Sequence, residues 1–334
     1  MNPPNEFSLI KKYFARTYSR DDIVLGSGDD AAIVKPPLHE ELVFTIDTLV
    51  AGVHFPLETS AFDIGYKAIA VNLSDIAAMG AKPLWMTGTL TLPSVDENWI
   101  AEFARGMFTL LDQHNVALIG GDLTRGPTLT ITFQAHGSVP AGKALRRDGA
   151  KVGDLIYVSG TLGDAGMGLQ MLSSKDVGAV REPPAGRSRA APTSFLDRLN
   201  RPTPRIELGL LARDYAHAAI DISDGFAQDL GHILQRSGVG AEVEINKLPL
   251  SKIPPFVKGG RGDFSALQLA LTAGDDYELC LTVPPTKAQA FETAAAQINC
   301  PITCIGKITN GNELILLDEK GERVDLDLRG YQHF

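Results

Sequence analysis

The sequence predicts an α/β (α+β) protein of two domains, and three observations carry that reading. The chain has 334 residues, longer than one hydrophobic core usually supports, so two domains are the default expectation. Short apolar runs of strand character alternate with amphipathic helical patterns through both halves, as expected of sheets covered by helices. Hydrophobic residues make up 44% and charged residues 21%, and no apolar run approaches the roughly 20 residues that span a bilayer.

The elements follow in chain order. An opening helix carries Phe7, Ile10 and Phe14. "ELVFTIDTLV" is a strand rich in β-branched and aromatic residues, "AFDIGYKAIAVNLSDIAAMG" a helix ending at Gly80, and "LWMTGTLTL" a second strand. "DENWIAEFARGMFTLLDQHN" is an amphipathic helix, followed by strand candidates "VALIGGDLTRG" and "TLTITFQAHGSV". "KVGDLIYVSGTLGDAGMGLQML" opens the second half as strand, glycine-rich turn and helix. Residues 173–194 contain Pro, Gly, Ser and Arg and almost no large apolar residue, which reads as a mobile surface loop. A helical run resumes at "FLDRLNRPTPRIELGLLARDY", interrupted at Pro202 and Pro204. "AAIDISDGFAQDLGHILQRSG" reads as strand, turn and helix; "LALTAGDDYELCLTV" as strand, turn and strand; and the tail has a hairpin candidate at Glu319 to Gly321. The parallel or antiparallel pairing of the strands is not visible at this level.

Charge and cysteine usage exclude several classes. The net charge is −9 with scattered basic residues, so the footprint of a nucleic-acid binder is missing. An acidic chain binds polyphosphates only with metal ions to help. The start "MNPPNEFSLIKKYF" shows no signal-peptide pattern, and cytoplasm is the expected compartment. The three cysteines, Cys280, Cys300 and Cys304, form no disulfide framework and read as small core residues rather than as a metal pair.

The acids carry the chemistry. Asp29 and Asp30 stand together in "GSGDDAAIV", and Asp47, Asp75, Asp122, the pair Asp221 and Asp224, and the pair Asp275 and Asp276 follow beside Gly, Ser or Thr at the ends of apolar runs. One such pair is explained by a solvated turn. Six recurrences fit better a set of Mg²⁺ ions clamped between carboxylates and a polyphosphate, because backbone amides approach phosphate freely beside glycines and hard cations take oxygen ligands. Asp75 lies inside a helical pattern beside Val71, Ile76 and Met79, so it points near the core and needs a partner. The chain lacks a "GxxxxGK[ST]" loop and a kinase-type glycine loop with an "HRD" partner. "GTLGDAGMG" has the wrong spacing for a dinucleotide fingerprint.

In this order, "GSGDDAAIV", "TIDTLVAGVHF", "NLSDIAAMGAKP", "LIGGDLTRG", "AIDISDGFAQDL" and "AGDDYELCLT" closely resemble the thiamine-monophosphate kinase family, in the superfamily that includes aminoimidazole ribonucleotide synthetase. The resemblance runs from about residue 5 to the terminal "GYQHF"; residues 173–194 look like an insertion relative to it. It implies an N-terminal ATP- and Mg²⁺-binding and dimerisation domain over 1–148, whose sheet pairs across a homodimer, and a C-terminal α/β domain over 149–334. The implied reaction is phosphoryl transfer from ATP to thiamine monophosphate. The same superfamily also contains ATP-dependent synthetases with other acceptors, which stay open as the alternative, as does a non-catalytic Mg²⁺-nucleotide sensor.

By resemblance, Asp30, Asp47, Asp75, Asp122, Asp221 and Asp224 are metal ligands, with Thr45 and the Ile46 carbonyl adding oxygens. Gly121, Asp122, Ser223 and Arg146 are expected at the nucleotide, although a solvated charge beside Arg147 explains Arg146 equally well. His54 and, less directly, Glu278 are expected at the substrate. Tyr331 is expected to stack on a cationic thiazolium, or else to pack the tail on the core. No general base is assigned, because a phosphate nucleophile is already ionised at neutral pH.

Overall fold

The computed structural model describes residues 5–173, 192–251 and 266–330. Two compact units separate: Met1–Ile76 with Ala81–Ala144, and Ala77–Gly80 with Leu145–Phe334.

In the first unit, α1 (Glu6–Leu9) is capped by the Asn5 side chain, which accepts from Ser8 N, and continues as a wide π turn over Ile10–Phe14. A short antiparallel hairpin follows, β1 (Ile23–Leu25) and β2 (Ile33–Val34), with the "GSGDD" turn between its strands. The main elements are β3 (Glu40–Val50), α2 (Ala61–Ala78), β4 (Lys82–Leu92), α3 (Glu97–Gln113), β5 (Ala117–Arg125) and β6 (Thr130–Pro140). The sheet order is β3-β6-β4-β5, antiparallel except for β4–β5. That parallel pair needs a crossover, and α3 supplies it.

Glycines let the layers of this unit close up. A Cβ on Gly65 of α2 would lie 2.1 Å from the Phe103 carbonyl oxygen, and one on Gly106 of α3 would lie 1.9 Å from the Phe62 carbonyl oxygen. The two helices therefore cross backbone to backbone, with Ile69, Leu73, Phe103, Met107 and Leu110 buried around them. Ile76 of α2 reaches Gly137 of β6, so α2 rests on the sheet. Along β3 the side chains alternate: Leu42, Phe44 and Ile46 are exposed at 38%, 55% and 61%, whereas Thr45, Asp47 and Leu49 turn inward.

The second unit is built from β7 (Leu155–Ser159), α4 (Asp164–Ser173), α5 (Pro192–Asn200), α6 (Ile206–Ala212), β8 (Ala218–Ile222), α7 (Phe226–Ser237), β9 (Gly240–Glu244), α8 (Ala266–Thr272), β10 (Glu278–Val283), α9 (Pro285–Gln297), β11 (Ile302–Thr309) and β12 (Leu314–Leu317). Its sheet runs β12-β9-β11-β7-β10-β8, antiparallel except for β12–β9. Every residue of β10 is buried. Ile156, Val158, Ile220, Phe226, Leu230, Cys280 and Ile305 share one core cluster. Cys280 and Cys300 are buried free thiols, as small core residues should be, and Cys304 is half-buried.

Three sequence expectations need correction. The run "LALT" is the end of α8, not a strand; a short apolar run has no decisive period, and here the helix buries Leu269, Ala270 and Leu271. Of the predicted loop over 173–194, Ser173 ends α4 and residues 192–194 open α5, where proline's fixed φ suits the first helical turn. Residues 174–191 of that loop, and Tyr331, lie outside the described residues. Finally, Asp47 and Asp122 sit within β3 and β5, not at strand ends: ladder pairing carries both strands past the acids, β3 against β6 as far as Val50 and β5 against β4 as far as Arg125. The hairpin near Glu319 is present, with Gly321 N donating to Asp318 O at 3.0 Å and Val324 N to Leu316 O at 2.9 Å.

The glycine crossing makes a direct prediction. Gly106→Ala should cost about 1–3 kcal/mol, because the backbones must part, lowering Tm by several degrees in a calorimetric scan. Gly231→Ala, in α7 with nothing within 4 Å of the new methyl, should leave Tm unchanged or raise it, since alanine loses less entropy in a helix.

Candidate functional site

In the first unit the inward face of β3 and the helix above it bring two carboxylates together. Thr45 Oγ1 donates to Asp75 Oδ2 in a short hydrogen bond, and Asp47 is next on the same strand face. Asp47 Oδ2 is buried without a hydrogen-bond partner among the described residues. Burial, and secondly the charge of Asp75, push the Asp47 carboxyl up to about 7. A buried oxygen with no donor, beside a second carboxylate and a hydroxyl, fits a hard divalent cation in both charge and donor type. Among the described residues no three His, Cys, Asp or Glu side chains are grouped as a metal cluster; a cation at this pair would take further oxygens from hydroxyls, carbonyls, water or a bound phosphate.

The other acids of this unit stand apart. Asp47 pairs with Phe133, Phe133 with Gly88 and Gly88 with Gly121. Asp122 is therefore three strand spacings from Asp47, about 14 Å, one residue off that row and exposed. Gly121 is required by packing, since a Cβ there would lie 2.2 Å from Gly88 O. Asp29 and Asp30 are exposed in their turn, where Asp29 Oδ1 accepts from Asp30 N at 2.8 Å. Water thus relieves the repulsion of that pair. Ile46 lies in the ladder opposite Gln134 with an exposed side chain.

A tight loop after β3 holds His54. Its Nδ1 accepts from Val50 N at 3.0 Å, its own N–H donates to Val50 O at 3.0 Å, and Gly52, at φ 77°, donates to Phe55 O at 2.9 Å. The ring proton of the neutral imidazole is therefore on Nε2. Lys67 of α2, only 2% exposed, reaches His54 O at 3.4 Å.

In the second unit the "DISDG" segment runs off the end of β8. Asp221 is buried on the strand, opposite Leu279, and Ser223 and Asp224 form the turn before α7. Asp229 Oδ2, on the first turn of α7, accepts from Ser223 N and Asp224 N at 3.0 Å each. Burial pushes Asp229 up to about 7, against those amides, with the Asp224 charge adding to the rise. A parallel device works nearby: buried Asp276 accepts from Gly163 N at 2.7 Å, at the start of α4, and burial pushes it up to about 8. Asp275 and Tyr277 around it adopt φ of 69° and 50°, a costly region for an aromatic residue.

Glu278, at the start of β10, is held by a network of side chains. It is fully buried, and its carboxylate accepts from Arg205 Nε and Nη2 at 2.6 Å each, Arg198 Nη2 at 2.7 Å and Ser159 Oγ at 2.5 Å. Three of these four hydrogen bonds come from arginines and one from Ser159, so the carboxylate ties two arginines and β7 to β10. Arg146 is exposed and paired with Asp148 two residues away, which matches the solvated-charge alternative. Sequence reasoning missed Lys67, Asp229 and the Arg198–Arg205–Glu278 network. For Asp229 a signal existed: an acid in the first turn of the helix that follows the "DISDG" turn.

Comparison with known proteins gives this geometry its setting. Residues 28–139 match the family model "AIR synthase related protein, N-terminal domain", and residues 151–319 match its C-terminal counterpart. A curated thiamine-monophosphate kinase of Salmonella typhimurium is 46% identical over 330 residues, covering 98% of each chain. The chain belongs to the thiamine-monophosphate kinase family. A crystal structure of the thiamine-monophosphate kinase from Stenotrophomonas maltophilia is 49% identical, with a TM-score of 0.81 over 92% of this chain and 93% of that one. A further family structure, AaThiL complexed with AMPPCP and TMP, is 31% identical with a TM-score of 0.75, covering 92% and 91%. No helix among the described residues is long and apolar enough to cross a membrane.

The Asp47 shift predicts a pH dependence in the metal-free protein. Asp47 is near pKa 7 in the fold and near 3.8 at its ordinary value, so the folded state is penalised as pH rises from about 4 to 7, and fully above that. Asp47→Asn should therefore stabilise the protein in chelator by about 1–3 kcal/mol at pH 8, and by less at pH 5. Urea unfolding at both pH values checks this; an equal or reversed difference contradicts it.

Proposed function

We propose that this chain transfers the γ-phosphoryl group of ATP to the phosphate of thiamine monophosphate, giving thiamine diphosphate and ADP. The observation that carries the reading is the buried, unpartnered Asp47 Oδ2 beside Asp75: a fold that keeps such an oxygen next to a second carboxylate is built to receive a cation. Membership of the thiamine-monophosphate kinase family, in which AaThiL was solved with AMPPCP and TMP, supports the nucleotide and the acceptor.

Asp30, Thr45, the Ile46 carbonyl, Asp47, Asp75 and Asp122 of the first unit, with Asp221 and Asp224 of the second, are assigned to hold Mg²⁺. The separation of Asp122 from Asp47 supports more than one ion. Bound there, Mg²⁺ neutralises charge on the transferring group and on the two anionic substrates. The chain's own work is positioning. Gly121, Asp122 and Ser223 are assigned to the nucleotide; Arg146 serves it only by exchanging Asp148 for a phosphate. His54, its Nε2 carrying the proton, can donate to a substrate oxygen, and Tyr331 remains assigned to the thiamine ring. One oxygen of the acceptor phosphate bonds to the γ-phosphorus as the bond to the β-phosphate oxygen breaks, with no phosphorylated side chain between and no protein base required.

Residues 1–148 are assigned as the ATP- and Mg²⁺-binding and dimerisation domain and 149–334 as the C-terminal domain. The exposed row Leu42, Phe44 and Ile46 on edge strand β3 supports a homodimer through this sheet, and cytoplasm is the proposed compartment. The test is ADP release from Mg-ATP with and without thiamine monophosphate. The acceptor should stimulate turnover in wild type, and Asp47→Asn should lower it by about two orders of magnitude or more. Turnover indifferent to thiamine monophosphate, or equal in the mutant, would overturn the reading.

A further inference from the structure

The Ser223–Asp224 turn has one feature the assignment above leaves unused. Consecutive amides converging in a turn ordinarily make a cradle for an anion such as phosphate. Here Asp229 fills that cradle from inside the protein. Its carboxylate is buried, with 2% of the residue exposed, and the single oxygen Oδ2 takes both the Ser223 and the Asp224 N–H at 3.0 Å. The turn is gripped from its other side as well: Asp275 N donates to Ser223 O at 2.9 Å and Tyr277 N to Ile222 O at 2.8 Å. Gly274 lies so close that a Cβ would sit 2.3 Å from Ser223 O, and one on Gly225 would sit 2.8 Å from the Thr272 backbone. The bracing extends to the acid itself, since Gln228 Nε2 donates to Asp224 Oδ2 at 3.3 Å.

From this geometry we infer that Asp229 is a positioning residue: by taking up the amides of Ser223 and Asp224 it turns the segment from an anion cradle into a rigid mount that presents the Asp224 carboxylate to a divalent cation. The inference rests on the metal role of Asp224 proposed above. It adds two statements: phosphate does not bind the amides of this turn, so Ser223 meets the nucleotide only through its hydroxyl; and the groups that hold a metal ligand are themselves set by a residue that touches no metal.

Two variants separate geometry from charge and from mere stability. The Gly225 amide also hydrogen-bonds this carboxylate; Asp229→Asn keeps one acceptor oxygen for the Ser223 and Asp224 amides, whereas Asp229→Ala leaves none. The readout is Mn²⁺ binding by electron paramagnetic resonance in the presence of a non-hydrolysable ATP analogue, with Tm measured alongside. Asp229→Ala should weaken Mn²⁺ binding by about tenfold or more, and Asp229→Asn should stay within about threefold of wild type. Equal weakening in both variants overturns the positioning role in favour of charge, and a lower Tm with unchanged Mn²⁺ affinity overturns it in favour of a structural role. Should Asp229→Ala not fold, hydrogen exchange of the metal-free wild type decides: the Ser223 and Asp224 amides should be strongly protected, and fast exchange at both contradicts the inference. Unchanged Mn²⁺ affinity in Asp229→Ala alongside thiamine-monophosphate turnover in wild type would leave the proposed function standing. A wild type that binds no Mn²⁺ with nucleotide overturns both.

Discussion

The repulsion between Asp47 and Asp75 is the constraint around which the first unit is arranged. Two carboxylates are brought together beneath a helix that rests on a sheet, where water is scarce. Only a closely packed support can hold them there. The glycine crossing of α2 and α3 fixes the helix, the seating of Ile76 on Gly137 fixes its height above the sheet, and Thr45 ties Asp75 to the strand that carries Asp47. A cation bound at this pair, as proposed, would restore the stability given up there and so link folding energetics to ligand binding through one protonation site.

The second unit solves a related problem by another route. Its buried carboxylates are matched to amide groups and arginines: Asp229 to the turn after β8, Asp276 to the start of α4, and Glu278 to Arg198 and Arg205. These acids are mounts. Asp229 and Asp276 fix glycine-rich turns in place by accepting from backbone N–H groups that would otherwise go unpaired, and Glu278 does the same work for two arginine side chains. The strained φ values of Asp275 and Tyr277 are held by the same packing, so the "GDDYEL" stretch acts as a brace for the "DISDG" turn across the β8–β10 ladder.

Much of this was legible in the sequence. Periodicity located β3, α2, β4, α3, β5 and β6, because each is long enough for its buried face to repeat; it misread "LALT" because four residues have no period. The recurring acids marked both loops that matter, and the order of the motifs pointed to the family. What the sequence could not separate was an acid that presents charge from an acid that is used up inside. Glu278 and Asp276 look alike beside Asp275, yet their environments come from Arg198, Arg205, Ser159 and Gly163, far away in the chain. Sheet register likewise decides that Asp122 stands apart from Asp47, and no local pattern encodes that.

The central claim is that Asp47 is a cation ligand kept in a costly state until its ion binds. It is tested most directly by following the Asp47 carboxyl through a pH titration, using carbon-13 NMR with Asp47→Asn to assign the signal. In the metal-free protein the carboxyl should titrate near pH 7, and with Mg²⁺ and a non-hydrolysable ATP analogue it should fall below about 4. A carboxyl that titrates at the same pH with and without Mg²⁺-nucleotide would contradict the account.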